Sequence, residues 1–268
     1  MTEQPVGPSP GDEARLGGAA QPVGPSSGGA ARLGGTVRLG STRQLSERVA
    51  AYLREAIMVG ELPASEFVRM EHVAARLGVS ATPVREALMI LQGEGAVRWE
   101  PRRGFRVVPL TRQDVDDLFA VQAHVAGELA ARAARALSAG EVDRLRAAQD
   151  ELVAAADRGE LDRVGELNHE LHRTVNRAAR SPRLAAMLNL FVHYVPRTYY
   201  GQVDGWADAT VRDHAPVLAA LAAADPDAAR DAMVEHIRHI GRLLIAHLER
   251  SGTLPAPATP TSEPGAPT

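Results

Sequence analysis

Residues 73–88 read Val73-Ala74-Ala75-Arg76-Leu77-Gly78-Val79-Ser80-Ala81-Thr82-Pro83-Val84-Arg85-Glu86-Ala87-Leu88, and they decide the fold of the first half of the chain. Val73, Ala74 and Leu77 keep a helical period that Gly78 stops. Three residues after Leu77, Ser80 starts a second helix, which runs from about Ala81 to Gly93. Two short helices joined by a glycine-containing turn form a helix-turn-helix. Ser80 or Thr82 is placed to cap the second helix, and Pro83 in its first turn removes an N–H that would be orphaned there anyway.

The flanks extend the unit. Upstream, Leu45, Val49, Leu53 and Ile57 recur at steps of four and predict a one-faced helix ending at Gly60, with a loop through Pro63. Downstream the period changes to two: Val97 and Trp99, then Pro101-Arg102-Arg103-Gly104, then Phe105 and Val107. That predicts a small β-hairpin turning at Gly104. A hairpin behind a helix-turn-helix is a wing. The second helix of the pair can then enter a DNA major groove, where the Arg85 fork suits guanine O6 and N7. Arg102, Arg103 and Arg106 suit backbone contacts, and Ser80 and Thr82 suit phosphate near the positive end of the helix. The same pattern also fits plain helical packing with a solvated hairpin.

These residues, with Leu91, Glu94-Gly95 and Pro101 to Val107, resemble the winged-helix domain of GntR-superfamily regulators. The resemblance implies that the helix containing Pro83-Val84-Arg85-Glu86-Ala87-Leu88 lies in an operator's major groove, with Arg85 at a DNA-contacting position. The chain departs from the family at Ala81, where an arginine that also contacts DNA is common.

The chain has 268 residues, a net charge of −3, no cysteine and 4% aromatics. All 30 of its basic residues are arginine. Disulfides, thiolate metal sites and cysteine nucleophiles are excluded. A composition rich in Ala, Leu, Arg and Glu favours helix, so a mainly α protein is expected. Residues 1–41 are Gly-, Pro-, Ser- and Ala-rich, and Gln4–Ser9 recurs as Gln21–Ser26. Such a segment lacks the apolar mass to offset ordering entropy and predicts a disordered arm; residues 251–268 predict a disordered tail. No start resembles a secretory signal and no run approaches the ~20 apolar residues of a membrane span, so a cytoplasmic protein without membrane contact is expected. The folded remainder divides into a winged helix-turn-helix domain, 42–110, and an all-helical domain, 111–250. The first carries ten arginines against eight acids, the second seventeen against twenty-one.

In the second part Thr111-x-x-Asp114 and Ser138-x-x-Glu141 resemble capping boxes, Gly159 reads as a stop, and Asp225-Pro226 as a cap with proline at the first helical position. They divide it into six helices, near 112–137, 139–157, 160–179, 182–200, 205–224 and 226–249, a bundle. Eight of nine histidines follow residue 120. Asn168 and His172 lie at i, i+4 on one helix face, with His214 and His236 on two later helices. Three imidazoles and an oxygen donor, with open positions, suit Zn²⁺, Ni²⁺ or a similar divalent ion. Histidines on separate helices are also common as exposed or satisfied core groups. His169, His239 and His247 read as solvated.

Residues 111–250 resemble the FCD ligand-binding domain of the FadR subfamily, an all-helical bundle that often holds a divalent metal. The resemblance assigns Asn168, His172, His214 and His236 as ligands, with Asn168 standing where many relatives carry Asp. It further implies a homodimer on a palindromic double-stranded operator, controlled by a small organic acid that touches the metal, most often as a repressor. Relatives hold the acid with an arginine on the first bundle helix, and that position is Gln122 here. His124, Arg173 and Arg197 are the other candidates around an effector.

Two rival classes are an enzyme and a structural helical protein with incidental histidines. A metal-dependent hydrolase would need a general base. Glu235 is nearest in sequence to His236, but adjacent residues on a helix point about 100° apart. No HExxH, Gly-x-Ser-x-Gly, Walker or GxGxxG segment stands in the right setting. No catalytic residue is therefore expected, and the winged helix argues against a purely structural role.

Overall fold

The computed structural model describes residues 42–254; the expected arm, 1–41, and residues 255–268 of the expected tail lie outside them. Among the described residues the order is α1 (Thr42–Met58), α2 (Met70–Leu77), α3 (Ala81–Gly93), β1 (Val97–Glu100), β2 (Gly104–Val107), then α4 (Arg112–Ala136), α5 (Ala139–Asp157), α6 (Leu161–Ala178), α7 (Pro182–Val192), a 3₁₀ turn (Arg197–Gln202), α8 (Trp206–Ala222) and α9 (Pro226–Arg250). The protein is mainly helical, with one antiparallel hairpin behind the helix-turn-helix, as the sequence predicts. Among these residues no helix is long and apolar enough to cross a membrane.

The step-of-four stripe of α1 buries Val49 and Leu53 against Val84, Leu88 and Leu91 of α3, and Val97, Phe105 and Val107 of the hairpin close the same core. Gly78 ends α2 in the left-handed region, φ 64°, a conformation cheap only without a Cβ. Ser80 occupies the N-cap position of α3 without a capping side-chain bond, so its hydroxyl is left for other partners. In the hairpin Val97 pairs with Val107 and Trp99 with Phe105. The turn sits earlier than predicted: Arg102 takes the left-handed conformation, φ 64°, and Gly104 opens β2.

In the helical part the predicted caps form. Asp114 N donates to Thr111 Oγ1 at 3.1 Å while Thr111 N donates to Asp114 Oδ2 at 2.8 Å. Glu141 Oε2 accepts from Ser138 N at 2.9 Å, and Asp225 Oδ1 accepts from Asp227 N and Ala228 N. The helix expected over 182–200 is broken: α7 stops at Val192 and a 3₁₀ turn starts at Arg197. Pro196 causes the break, because a helix through it would set its ring against the Val192 carbonyl and lose the N–H bond to it. The two long helices α4 and α9 pack closely. A Cβ on Gly127 would lie 2.7 Å from Val234 Cγ2, and one on Gly241 2.7 Å from Phe119 Cγ, so two glycines set their approach.

Candidate metal centre and nucleic-acid interface

Three amphipathic helices bring the polar cluster together. On α6, Leu167, Leu171 and Val175 are buried, and Asn168 and His172 follow Leu167 and Leu171 at the edge of that stripe. On α8, His214 shares the inner face with Val217, Leu218 and Leu221. On α9, His236 sits in the stripe Ala229, Met233, Ile240 and Leu244. His214 is fully buried and His236 3% exposed. One nitrogen from each of His172, His214 and His236 falls within 4.8 Å of the other two. His172 Nε2 and His236 Nε2 are 3.2 Å apart, with rings stacked at a 14° interplanar angle.

Two atoms of these residues have the character of ligands. His214 Nε2 and Asn168 Oδ1 are buried without a hydrogen-bond partner, a costly state for polar atoms unless something else satisfies them. Burial, and then His236 and His169, push His172 down to about 3. Burial, and then His172 and His236, push His214 well below its ordinary value. Both rings are thus neutral at pH 7, the form whose lone pair binds metal. The residues present fit a divalent cation.

A surrounding layer was not legible in the sequence. Gln149 on α5 is buried, and its Oε1 lies 2.8 Å from His214 Nδ1. Asp213 Oδ2 lies 2.7 Å from His239 Nδ1 and 3.4 Å from His236 Nδ1. Burial raises the Asp213 pKa, but hydrogen bonds to these two rings outweigh it and hold the carboxyl below its usual range. His239, expected to be solvated, is therefore half-buried and paired. Thr210 Oγ1, one turn before His214, is buried without a partner.

The expected effector contacts are not gathered in the same way. His124 is exposed on α4 instead of facing inward, because the inward positions of that turn fall to Ala123 and Ala126. Gln122 is buried and donates to the Phe191 carbonyl at 3.3 Å. Arg173 is exposed and bonded to Glu170. Arg197 is exposed and has no ion pair among the described residues. Glu235 is bonded to Arg242 at 2.6 Å and exposed, away from any base role.

In α3, Pro83, Val84, Ala87, Leu88 and Leu91 are buried, which leaves Ala81, Thr82, Arg85, Met89 and Gln92 on the outer face. Met89, 60% exposed, lies one turn beyond Arg85 on the same outer face, a position the sequence does not single out. Three wing arginines converge on Glu100: Arg98 at 3.2 Å, Arg106 at 3.5 Å and Arg103 at 3.6 Å. Arg103 and Arg106 also lie over the Phe67 ring, and Arg106 Nε donates to the Ser65 carbonyl at 2.7 Å. Arg85 and Arg102 have no ion pair among the described residues.

Residues 45–107 match the family of bacterial regulatory proteins called gntR, and residues 117–239 match the FCD domain. An HTH-type transcriptional regulator of Agrobacterium vitis, encoded in the TAR-I ttuE-ttuC′ intergenic region, is 32% identical over 47% of this chain and 77% of its own length. The chain belongs to the gntR family of bacterial regulatory proteins. A probable D-xylose utilization operon transcriptional repressor of Paenarthrobacter nicotinovorans is 28% identical to this GntR regulator over 74% of its chain and 89% of the relative. The solved structure of Escherichia coli McbR/YncC shares the fold, with a TM-score of 0.57 and 23% identity over 75% of this chain and 96% of that one. The family and these relatives are transcriptional regulators and not enzymes, so the winged helix is the DNA-binding half of a transcriptional regulator and the bundle is its FCD domain.

Proposed function

We propose that this GntR regulator is a homodimeric repressor of a palindromic operator, and that a divalent metal with a small organic acid in the FCD domain sets its DNA affinity. The observation that carries the metal reading is the convergence of three imidazoles from α6, α8 and α9, with the buried, unpartnered oxygen of Asn168 one turn before His172. His172, His214, His236 and Asn168 would hold Zn²⁺, Ni²⁺ or a similar ion, which supplies a positive charge and open coordination positions when bound. As ligands, three imidazoles and an amide would bring no negative charge to the ion. The Asp213 carboxylate is engaged by the Nδ1 atoms of His236 and His239. The charge of the ion therefore favours an anionic ligand, and a small carboxylate fits that demand.

On the DNA side, Arg85 is proposed to read base edges, Thr82 and Ser80 to meet phosphate, and Arg102 at the wing tip to reach backbone or minor groove. Arg103 and Arg106 are proposed as supports that shape the wing through Glu100 and Phe67. A two-fold dimer presents two such faces to two half-sites. An effector acts by binding one arrangement of the dimer better than another. Domain limits of 42–110 and 111–250 accompany this reading.

The test is metal analysis of the wild-type protein and His214→Ala, with fluorescence anisotropy on the DNA upstream of the gene. One divalent ion per subunit is expected, lost in His214→Ala, with operator affinity that responds to metal and to a carboxylate panel. Equal metal content in the two proteins would overturn the metal site, and unchanged operator affinity in Arg85→Ala would overturn the reading helix.

A further inference from the structure

Gln149 makes two hydrogen bonds that together fix a proton on another residue. Its amide nitrogen lies 3.2 Å from the Val211 carbonyl. A carbonyl oxygen can only accept, so this end of the amide is the NH₂, and the other end, Oε1, is an acceptor. Oε1 faces His214 Nδ1 at 2.8 Å, so that ring nitrogen must be the one that carries hydrogen. A neutral imidazole carries one N–H, which leaves Nε2 bare. Nε2 is the buried, partnerless atom of a ring that packs against those of His172 and His236.

We propose that Gln149 is a positioning residue that locks His214 in the Nδ1–H tautomer, so that the Nε2 lone pair is set for a metal before any metal arrives. The proposal rests on the metal reading above and names the group outside the ligands that prepares one of them. The chain of constraint starts on the backbone: Val211 O orients the Gln149 amide, the amide orients the His214 ring, and both bonds tie α5 to α8. The side chain is buried, so water does not compete for either bond. Partners of this kind on the far nitrogen of a ligating histidine raise ligand basicity, and their loss typically costs 10–100-fold in metal affinity. The Asp213 carboxylate stands in the corresponding place for His236, at a longer 3.4 Å and shared with His239, so His214 is the more firmly set ring.

The experiment compares the full chain with Gln149→Leu and Gln149→Glu. Zn²⁺ alone is titrated calorimetrically, and imidazole ¹⁵N shifts are recorded on the metal-free proteins. Glutamate keeps the acceptor for His214 but loses the donor to Val211, whereas leucine loses both. A merely structural role predicts that both variants weaken Zn²⁺ binding alike. The positioning role predicts a 10–100-fold loss in Gln149→Leu, wild-type or tighter binding in Gln149→Glu, and an Nδ1–H signature at His214 in every protein except Gln149→Leu. Wild-type affinity in Gln149→Leu, or an Nε2–H tautomer at His214 in the wild-type protein, would overturn it. If the wild-type protein takes up no Zn²⁺, the metal reading falls, and the nitrogen shifts still decide the part of Gln149.

Discussion

The Tyr194 hydroxyl donates a hydrogen bond to the backbone carbonyl of Glu94, the residue that caps the C-terminal end of α3. The side chain of Glu94 in turn accepts from Arg54 Nε of α1 at 2.8 Å. Tyr194 lies just beyond α7, whose Phe191 carbonyl accepts from Gln122 of α4. The segment after α7 thus ties the FCD domain to the C-terminal end of α3. Tyr194→Phe removes the donor and leaves a part-buried carbonyl, at a cost of about 1 kcal/mol, or a Tm lower by about 2–4 °C for a domain of this size. Metal content should be unchanged, while the difference in operator affinity between metal-loaded and metal-free protein should shrink. An unaltered Tm by calorimetry would show that this bond contributes nothing.

Arg85 and Arg102 are the two predicted DNA-contacting arginines that carry no ion pair among the described residues, and they should behave differently. Arg85→Ala removes a side chain that folding does not use, so stability holds while operator affinity falls about 10–100-fold, the 1–3 kcal/mol of one bidentate base contact. Arg102 sits at φ 64°, where a Cβ costs about 1–2 kcal/mol. Arg102→Gly should therefore raise thermal stability and at the same time weaken binding, with a salt dependence shallower by about one unit of slope. A Tm that falls together with affinity would assign Arg102 a structural role.

Local signals carried most of the fold. The capping pairs Thr111–Asp114 and Asp225–Pro226, the stops at Gly78 and Gly159, and the two-residue period of the wing each act within a few residues, so their meaning is set by the chain itself. Pro196 is an equally local signal, and it ends the helix that the surrounding residues alone would carry over 182–200. The clustered histidines are visible in the sequence because Asn168 and His172 repeat at helical spacing and the pattern resembles a family. Gln149 and Asp213 are not: they meet the cluster only through packing of α5 and α8, and neither position departs from an ordinary helix surface in sequence. For the same reason the outward position of His124 and the engagement of Arg103 and Arg106 by Glu100 appear only in three dimensions.

Acid should destabilise the metal-free protein through the histidine cluster. The folded-state pKa of His172 is pushed down to about 3, against an ordinary value near 6.5. Between these values the unfolded chain binds more protons than the folded one, so stability is full above about pH 6.5 and is lost as pH falls toward 3. Carboxylates titrate at the lower end of that window, so the contrast is read between pH 7 and pH 5. Urea unfolding of EDTA-treated protein should show a steeper loss over that range in wild type than in His172→Gln, which has no ring to protonate. Equal slopes would mean that His172 takes up its proton in the folded state without penalty.

The approach of α4 and α9 gives a prediction of sign. Helix propensity alone makes Gly241→Ala stabilising by about 1 kcal/mol, since glycine is the poorer helix former by that amount. A Cβ at position 241 would, however, lie 2.7 Å from Phe119 Cγ and 2.9 Å from Phe119 Cβ. Those atoms sit close to the backbone of α4 and cannot swing aside, so the helices themselves must separate, and overpacking of this kind costs about 1–3 kcal/mol. The net effect is destabilisation, measured as a lower urea midpoint at unchanged m-value. In the double variant Gly241→Ala with Phe119→Ala, the added methyl enters space the ring has left, so the combined cost should fall short of the sum of the single costs. A stabilised Gly241→Ala, or strict additivity in the cycle, would show that the two helices tolerate a wider separation than the glycine contact implies.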